Sequence, residues 1–195
     1  MVVHTSITQP VAATAASAWV QRFSALLPPG TVLDLACGGG RHTRLFLDAG
    51  HAVLAVDRDR AAFAALQDLG AHTLQHDFEP SAETAAWPFA AHEFAAIVVC
   101  NYLHRPLFPF MLASLQDGGV LIYETFAMGN EAFGRPAKPA FLLRHGELLR
   151  QVQSNPAVEM QVIAYEEGYL ERPQAAMVQR ICARKAGQAS ALDQL

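Results

Sequence analysis

The chain has 195 residues, 52% of them apolar and 16% charged, with a formal net charge of −4. That balance excludes a disordered chain, and no run approaches the roughly 18 consecutive apolar residues of a membrane span. Lys and Arg are scattered rather than clustered, so the broad basic face of a nucleic-acid binder is missing and a small or protein substrate is favoured. We expect one domain over residues 1–195, with its core at about 10–185. Cys37, Cys100 and Cys182 are odd in number and lack C-x-x-C spacing, and no signal peptide precedes the fold, which together point to a reducing cytoplasm.

Met1–Gln9 reads as a loose arm, and alanine-rich Pro10–Leu27 as a leading helix stopped by Pro28-Pro29-Gly30, with Trp19 and Phe23 as core anchors. Thr31–Leu35 has the composition of a strand buried on both faces, with Asp34 near its end. Gly38, Gly39 and Gly40 follow, a turn that lets the backbone approach a ligand, and Arg41–Ala49 opens a helix where that ligand would lie. Cys37 inside the turn reads as a small packed side chain. A dinucleotide fingerprint starting at Gly38 needs a third glycine where Thr43 stands.

Ala52–Val56 is the second strand, and Asp57 ends it about 20 residues after the turn, the offset at which a carboxylate meets ribose hydroxyls. The alternative for Asp57 is a solvated turn residue. Asp59 caps a helix with Ala62, Phe63, Leu66 and Leu69 at helical spacing. Thr73–His76 is a short third strand followed by Asp77-Phe78, and His72 and His76 lack a third ligand, so no metal site is expected. Glu79–Ala91 is a loop. Phe94–Cys100 is the most apolar strand and thus central, and the polar cluster Asn101–Arg105 at its carboxyl end lies where ligands bind in open α/β sheets.

Pro106 starts a helix carrying Leu107, Phe110, Met111 and Leu115, which Gly118-Gly119 ends. Val120–Phe126 is a fifth strand with Tyr123, Glu124 and Thr125 at its end; Ala127–Ala140, rich in Gly and Pro, is expected to be a lid. Phe141–Val152 turns helical. Val158–Leu170 and Ala175–Arg184 are joined through Arg172-Pro173, a link short enough to demand an antiparallel pair, and Gly187–Leu195 is a polar tail.

Asp34, Ala36, Gly38 and Gly40 resemble motif I of the class I S-adenosylmethionine (SAM) methyltransferases, with Ala36 in place of the family's first glycine. The stretch around Asn101 resembles motif IV. The runs Tyr123–Phe126, Gly134–Pro136, Phe141–Leu143 and Glu147–Leu149 look like a small standalone subgroup labelled tellurite-resistance-like, a likeness of scaffold and loop that carries no tellurite chemistry. The resemblance implies an α/β, Rossmann-like seven-stranded sheet, mostly parallel with one antiparallel strand in a C-terminal hairpin and helices on both faces. It implies SAM as cofactor, with Asp34, Ala36, Cys37, Gly38, Gly40, Asp57, Arg58, Asp77, Phe78 and Asn101 as its binding residues. Trp19 would roof the acceptor pocket or pack the core, and Arg105 and Arg135 would anchor an anionic acceptor or stand as surface charges. His104, with Tyr123 and Glu124 behind it, is the candidate base, if one is used; His104 bonded to a neighbouring loop is the competing reading. The expected reaction is methyl transfer to a small molecule, with an RNA or protein acceptor as the alternative and an oxidoreductase or a noncatalytic scaffold after these. Nothing in the sequence bears on oligomeric state.

Overall fold

Phe94–Cys100 forms a strand as its apolar run requires, with all but its last residue buried, and the sheet extends from it in both directions. The computed structural model describes residues 15–67, 69–81 and 84–187. The expected arm, the first residues of the leading helix and most of the polar tail lie outside these described residues. The strands are β1 (Thr31–Leu35), β2 (Ala52–Asp57), β3 (His72–Gln75), β4 (Phe94–Cys100), β5 (Leu115–Phe126), β6 (Met160–Leu170) and β7 (Ala176–Lys185). They lie in the order β3-β2-β1-β4-β5-β7-β6, with β7 antiparallel to both neighbours and every other pair parallel. β1 pairs with β2 on one side and β4 on the other, so the strand order reverses there and a crevice opens at the carboxyl ends of β1 and β4.

The helices α1 (Ala18–Phe23), α2 (Arg41–Asp48), α3 (Phe108–Ser114) and α4 (Glu147–Gln153) cover both faces. Successive strand residues point to opposite faces, and the sequence uses that alternation. Val32, Val98 and Ile122 pack with Trp19, Phe23 and Phe46 on one side, while Leu33, Ile97 and Leu121 pack with Phe108, Met111 and Leu148 on the other. Among the described residues, no helix is long and apolar enough to cross a membrane.

Three expected elements differ. The helix after Asp59 is a 3-10 segment, Arg60–Leu66, because only Phe63 and Leu66 are buried and their spacing of three matches the 3-10 repeat. The helix expected from Phe141 begins at Glu147; Leu143 instead bridges to Ala127, and Gly146 enters α4 with a left-handed backbone (φ 62°). β5 starts before Gly118-Gly119, since Leu115 already pairs with Phe94 ahead of a register shift.

Candidate functional site

The turn after β1 is built by backbone bonds around one carboxylate. Cys37 N–H donates to the Val56 carbonyl at 3.0 Å and Gly40 N–H to the Cys37 carbonyl at 3.0 Å. Gly38 N–H donates to Asp57 Oδ2 at 2.9 Å, and Asp59 N–H donates to Asp57 Oδ1 at 2.9 Å. Asp57 thus joins the turn to the end of β2. Gly38 (φ 51°) has open space where a Cβ would stand, whereas a Cβ on Gly40 (φ 72°) would lie 2.2 Å from Leu66 Cδ2. Gly38 leaves room for a ligand; Gly40 is needed for packing.

Two cavities meet at this turn. The larger, about 390 Å³, runs along the ends of β2, β3, β4 and β5 and includes Asp57, Arg58, Asp77, Phe78, Tyr102 and Thr125. The smaller, about 360 Å³, lies over the turn and the start of α2, with Cys37, Gly38, Arg41, His42, Arg44 and Cys100 on its wall. Ala36 and Asn101 line both, and both hold left-handed backbones (φ 55° and 57°) at the ends of adjacent strands. Asp57, Arg58, Asp77, Phe78, Asn101, Ala36, Cys37 and Gly38 therefore all line these cavities.

Asp34 does not. It is 1% exposed, and its carboxylate accepts a 2.6 Å bond from Thr43 Oγ1 beneath the start of α2. Burial raises its pKa to about 6, against the opposing pull of the Thr43 hydrogen bonds and the Arg41 charge. Thr43, the residue that broke the dinucleotide pattern, is thus this acid's partner. The thiol of Cys37 is raised by burial first and by the charges of Asp34 and Asp57 next, which keeps it protonated.

The candidate bases also lie elsewhere. His104 is buried, and its Nε2 donates to the Thr84 carbonyl at 2.7 Å, as the loop reading held. Tyr123 lies flat against Phe108 and donates to the Tyr102 carbonyl at 2.8 Å; burial pushes its phenol well above the usual range. Glu124 faces the opposite side of the sheet, accepting from Ser17 Oγ at 2.9 Å and from Arg180 at 3.3 Å. None of the three lines either cavity.

The residues named for the acceptor line neither of these cavities. Trp19 is 2% exposed, packs against Phe23 and donates its Nε1–H to the Ile181 carbonyl, so it is a core anchor. Arg105 is fully engaged: Nε and Nη2 bond Glu147, Nη1 the Ala140 carbonyl and Nη2 the Leu142 carbonyl. It ties down the 127–143 segment instead of anchoring an acceptor. Arg135 is exposed and lines neither of the two cavities, though its neighbour Pro136 and, further on, Phe141 reach the larger one. The expected lid therefore borders the cavity, with both ends tethered: Ala127 N–H donates to the Met177 carbonyl and Leu143 N–H to the Phe126 carbonyl.

Sequence reasoning missed His76, Glu79, Phe126 and Phe141 in the larger cavity, and Arg41, His42 and Arg44 in the smaller. For the last three a signal existed. They occupy the first turn of a helix that opens directly from a glycine loop, Arg41 and Arg44 away from apolar Phe46 and His42 on its buried face.

Residues 32–119 match the family model described as a methyltransferase domain. No curated protein matches the chain. Among solved structures, the fold is similar to that of a SAM-dependent methyltransferase from Methanosarcina mazei (TM-score 0.66, 14% identity, covering 90% of this chain and 100% of that one). It is similar to TehB from Haemophilus influenzae (TM-score 0.64, 20% identity, 86% of this chain and 61% of that one). It is also similar to the 1,6-didemethyltoxoflavin-N1-methyltransferase of Burkholderia thailandensis, solved with 1,6-didemethyltoxoflavin and S-adenosylhomocysteine (TM-score 0.59, 20% identity, 87% and 79%). At these identities the structural likenesses speak to the fold.

Proposed function

We propose that the chain, whose residues 32–119 match a methyltransferase domain and whose fold is that of SAM-dependent methyltransferases, uses SAM to methylate a small-molecule acceptor in the larger cavity. The observation that carries the proposal is a cavity of small-molecule size at the strand ends. The cavity's size lies in the roughly 300–1,000 Å³ range of small-molecule sites, and Pro136 and Phe141 of the tethered 127–143 segment wall one side of it. A polymer acceptor calls for an open basic surface, whereas the net charge is −4 and Asp57, Asp77 and Glu79 all face this cavity. The Burkholderia relative, which holds a small heterocycle beside S-adenosylhomocysteine, supports the same reading.

The residues fit the cofactor. Each Asp57 oxygen accepts one backbone N–H and keeps a lone-pair site, so the carboxylate can receive a diol while holding the turn. The space over Gly38 and Gly39 lets a ligand lie against the backbone. Asp77 and Phe78, at the end of β3, offer an acceptor and a ring to a base. SAM brings a methyl group already activated on a sulfonium. The protein's part is then to hold the acceptor's nucleophilic atom in line at about 3 Å and keep water out. Thr125, Phe126 and Phe141 are the residues placed for that, and no strong base is required. We keep the cytoplasm as the setting, a reading supported by three cysteines that form no disulfide.

The test begins with the mass of any nucleotide that copurifies and with calorimetry against S-adenosylhomocysteine and NAD. Isotope-labelled SAM is then offered with separate metabolite, RNA and protein fractions of a cell extract. Label in a small molecule is the expected result; label confined to RNA or protein refutes it.

A further inference from the structure

The larger cavity has three acids on its wall, and the cofactor reading above uses two of them. Asp57 holds the turn, and Asp77, whose Oδ1 accepts the Glu79 backbone N–H at 2.9 Å, stands beside Phe78 for the base. Glu79 is left over. It follows β3 in the chain, yet its side chain reaches the end of β4, where Tyr102 hydrogen-bonds it and His104 Nδ1 lies 4.0 Å away. That last distance is beyond a hydrogen bond, so among the described residues Glu79 has a hydroxyl beside it and no hydrogen-bonded cation.

Burial first, then the charge and hydrogen bond of Glu79, raises the Tyr102 phenol well above its usual range, so Tyr102 keeps its proton and donates it to the carboxylate. One such bond leaves a carboxylate with acceptor sites to spare, and the Glu79 side chain is 29% exposed. Other walls of the same cavity are flat and apolar: Phe126, Pro136 and Phe141, the last 45% exposed. Among the lining residues one guanidinium, Arg58, stands against the three carboxylates, so the local field opposes an anion.

We infer that the larger cavity selects a flat nitrogenous acceptor, an aromatic amine or N-heterocycle, whose N–H groups are held by Glu79 while its ring lies against Phe126, Pro136 and Phe141. The inference rests on the small-molecule methyl-transfer reading above. An ionised carboxylate only accepts hydrogen bonds, so it suits N–H donors and repels a ring that carries an acid. In the transfer, the lone pair of the attacking nitrogen forms the N–C bond while the C–S bond breaks with its electrons left on sulfur. The proton which that nitrogen sheds passes to Glu79.

Benzamidine and benzoate are matched probes, the same ring carrying a flat group of opposite charge. Each is titrated by calorimetry into protein saturated with S-adenosylhomocysteine, which keeps Asp57 and Asp77 occupied. Benzamidine should bind at least about tenfold more tightly than benzoate. Glu79→Gln should bring the two within about threefold of each other, while S-adenosylhomocysteine affinity within about threefold of wild type shows that the variant is folded. A second measurement needs no variant: isotope-labelled SAM is offered with cell metabolites that ion exchange has split into anionic and non-anionic pools. Label should enter the non-anionic pool alone. Benzoate binding as tightly as benzamidine, no benzamidine binding, an unchanged ratio in folded Glu79→Gln, or label in the anionic pool overturns the inference. If S-adenosylhomocysteine does not bind, the SAM reading itself has failed; label confined to RNA or protein refutes the small-molecule reading instead.

Discussion

Gly38 and Gly40 both take left-handed backbones in the same turn, and the structure assigns them different duties that alanine substitution separates. In Gly40→Ala the new methyl lies 2.2 Å from Leu66 Cδ2 and 2.9 Å from its Cγ, and Leu66 is itself buried against Cys37, Ala55 and Phe63. Left-handed strain costs about 1–2 kcal/mol and overpacking about 1–3, offset by up to about 1 kcal/mol because alanine stiffens the unfolded chain. The net loss is about 1–4 kcal/mol. In Gly38→Ala nothing lies within 4 Å of the methyl, so only strain and the offset remain, about 0–1.5 kcal/mol. Urea titration of both variants should therefore show Gly40→Ala the less stable by about 1–3 kcal/mol. Calorimetry should show the reverse ranking for S-adenosylhomocysteine, with Gly38→Ala weaker by about tenfold because its methyl occupies space over the turn. Adding Leu66→Ala to Gly40→Ala removes the overlap, so the pair should cost less than the sum of the singles. Equal stability losses, or an additive double variant, would show that Gly40 is kept for something other than Leu66.

Asp57→Asn should weaken S-adenosylhomocysteine binding by about tenfold to a few hundredfold, since a charged acceptor is lost and the amide must face one of the two backbone N–H groups; unchanged affinity in a folded variant removes this carboxylate from the site. Arg105→Met removes the guanidinium from Glu147, which keeps the Arg144 N–H, and the donors from two loop carbonyls, and should cost about 1–3 kcal/mol in urea titration, with faster proteolysis within residues 127–143; a loss below about 0.5 kcal/mol would mean that the tether is idle. For Asp34 the folded pKa of about 6 lies above the unfolded value, so its contribution to stability is fully present below about pH 4 and declines by about 3 kcal/mol as pH rises through 6. Asp34→Asn keeps an acceptor for Thr43 without the charge, so its stability relative to wild type should rise by about that amount between pH 4 and 7; a difference that does not change with pH contradicts a buried titrating carboxyl.

The strands and the residues that line the cavities at their carboxyl ends were legible because both are written in local pattern. The uninterrupted apolar run at Phe94–Cys100 can only be a central strand, and Asp57 and Asn101 reach the cavities because each stands at a parallel strand's carboxyl end. Side-chain direction at those ends was not legible. Tyr123, Glu124 and Thr125 alternate faces, so three adjacent polar residues reach the opposite-face core, the α1 side and the cavity in a way that depends on the twist of the finished sheet. For His104 and Arg105 the partners were not legible: Thr84, Ala140 and Leu142 come from distant connecting segments and Glu147 from the start of α4, and no local spacing brings them near. The 3-10 segment at Arg60–Leu66 failed a helical expectation because alanine-rich spacing suits an α-helix, while burial rewarded only Phe63 and Leu66.

The strand order also dictates when the protein can fold during synthesis. β1 gains one neighbour as soon as β2 emerges, but its other edge waits for β4, which starts at Phe94, and β5 in turn waits for β7, which starts at Ala176. A ribosome that has reached Glu93 has synthesised β1, β2 and β3 with the apolar edge Val32–Leu35 still lacking its β4 partner, a template for association with other chains once it emerges. Parallel pairings between strands distant in sequence are slow to close, so this exposure lasts through much of translation. Fragments ending before β4 should therefore be the aggregation-prone ones, and a soluble product requires the chain to run through Lys185, where the last edge of β5 is covered.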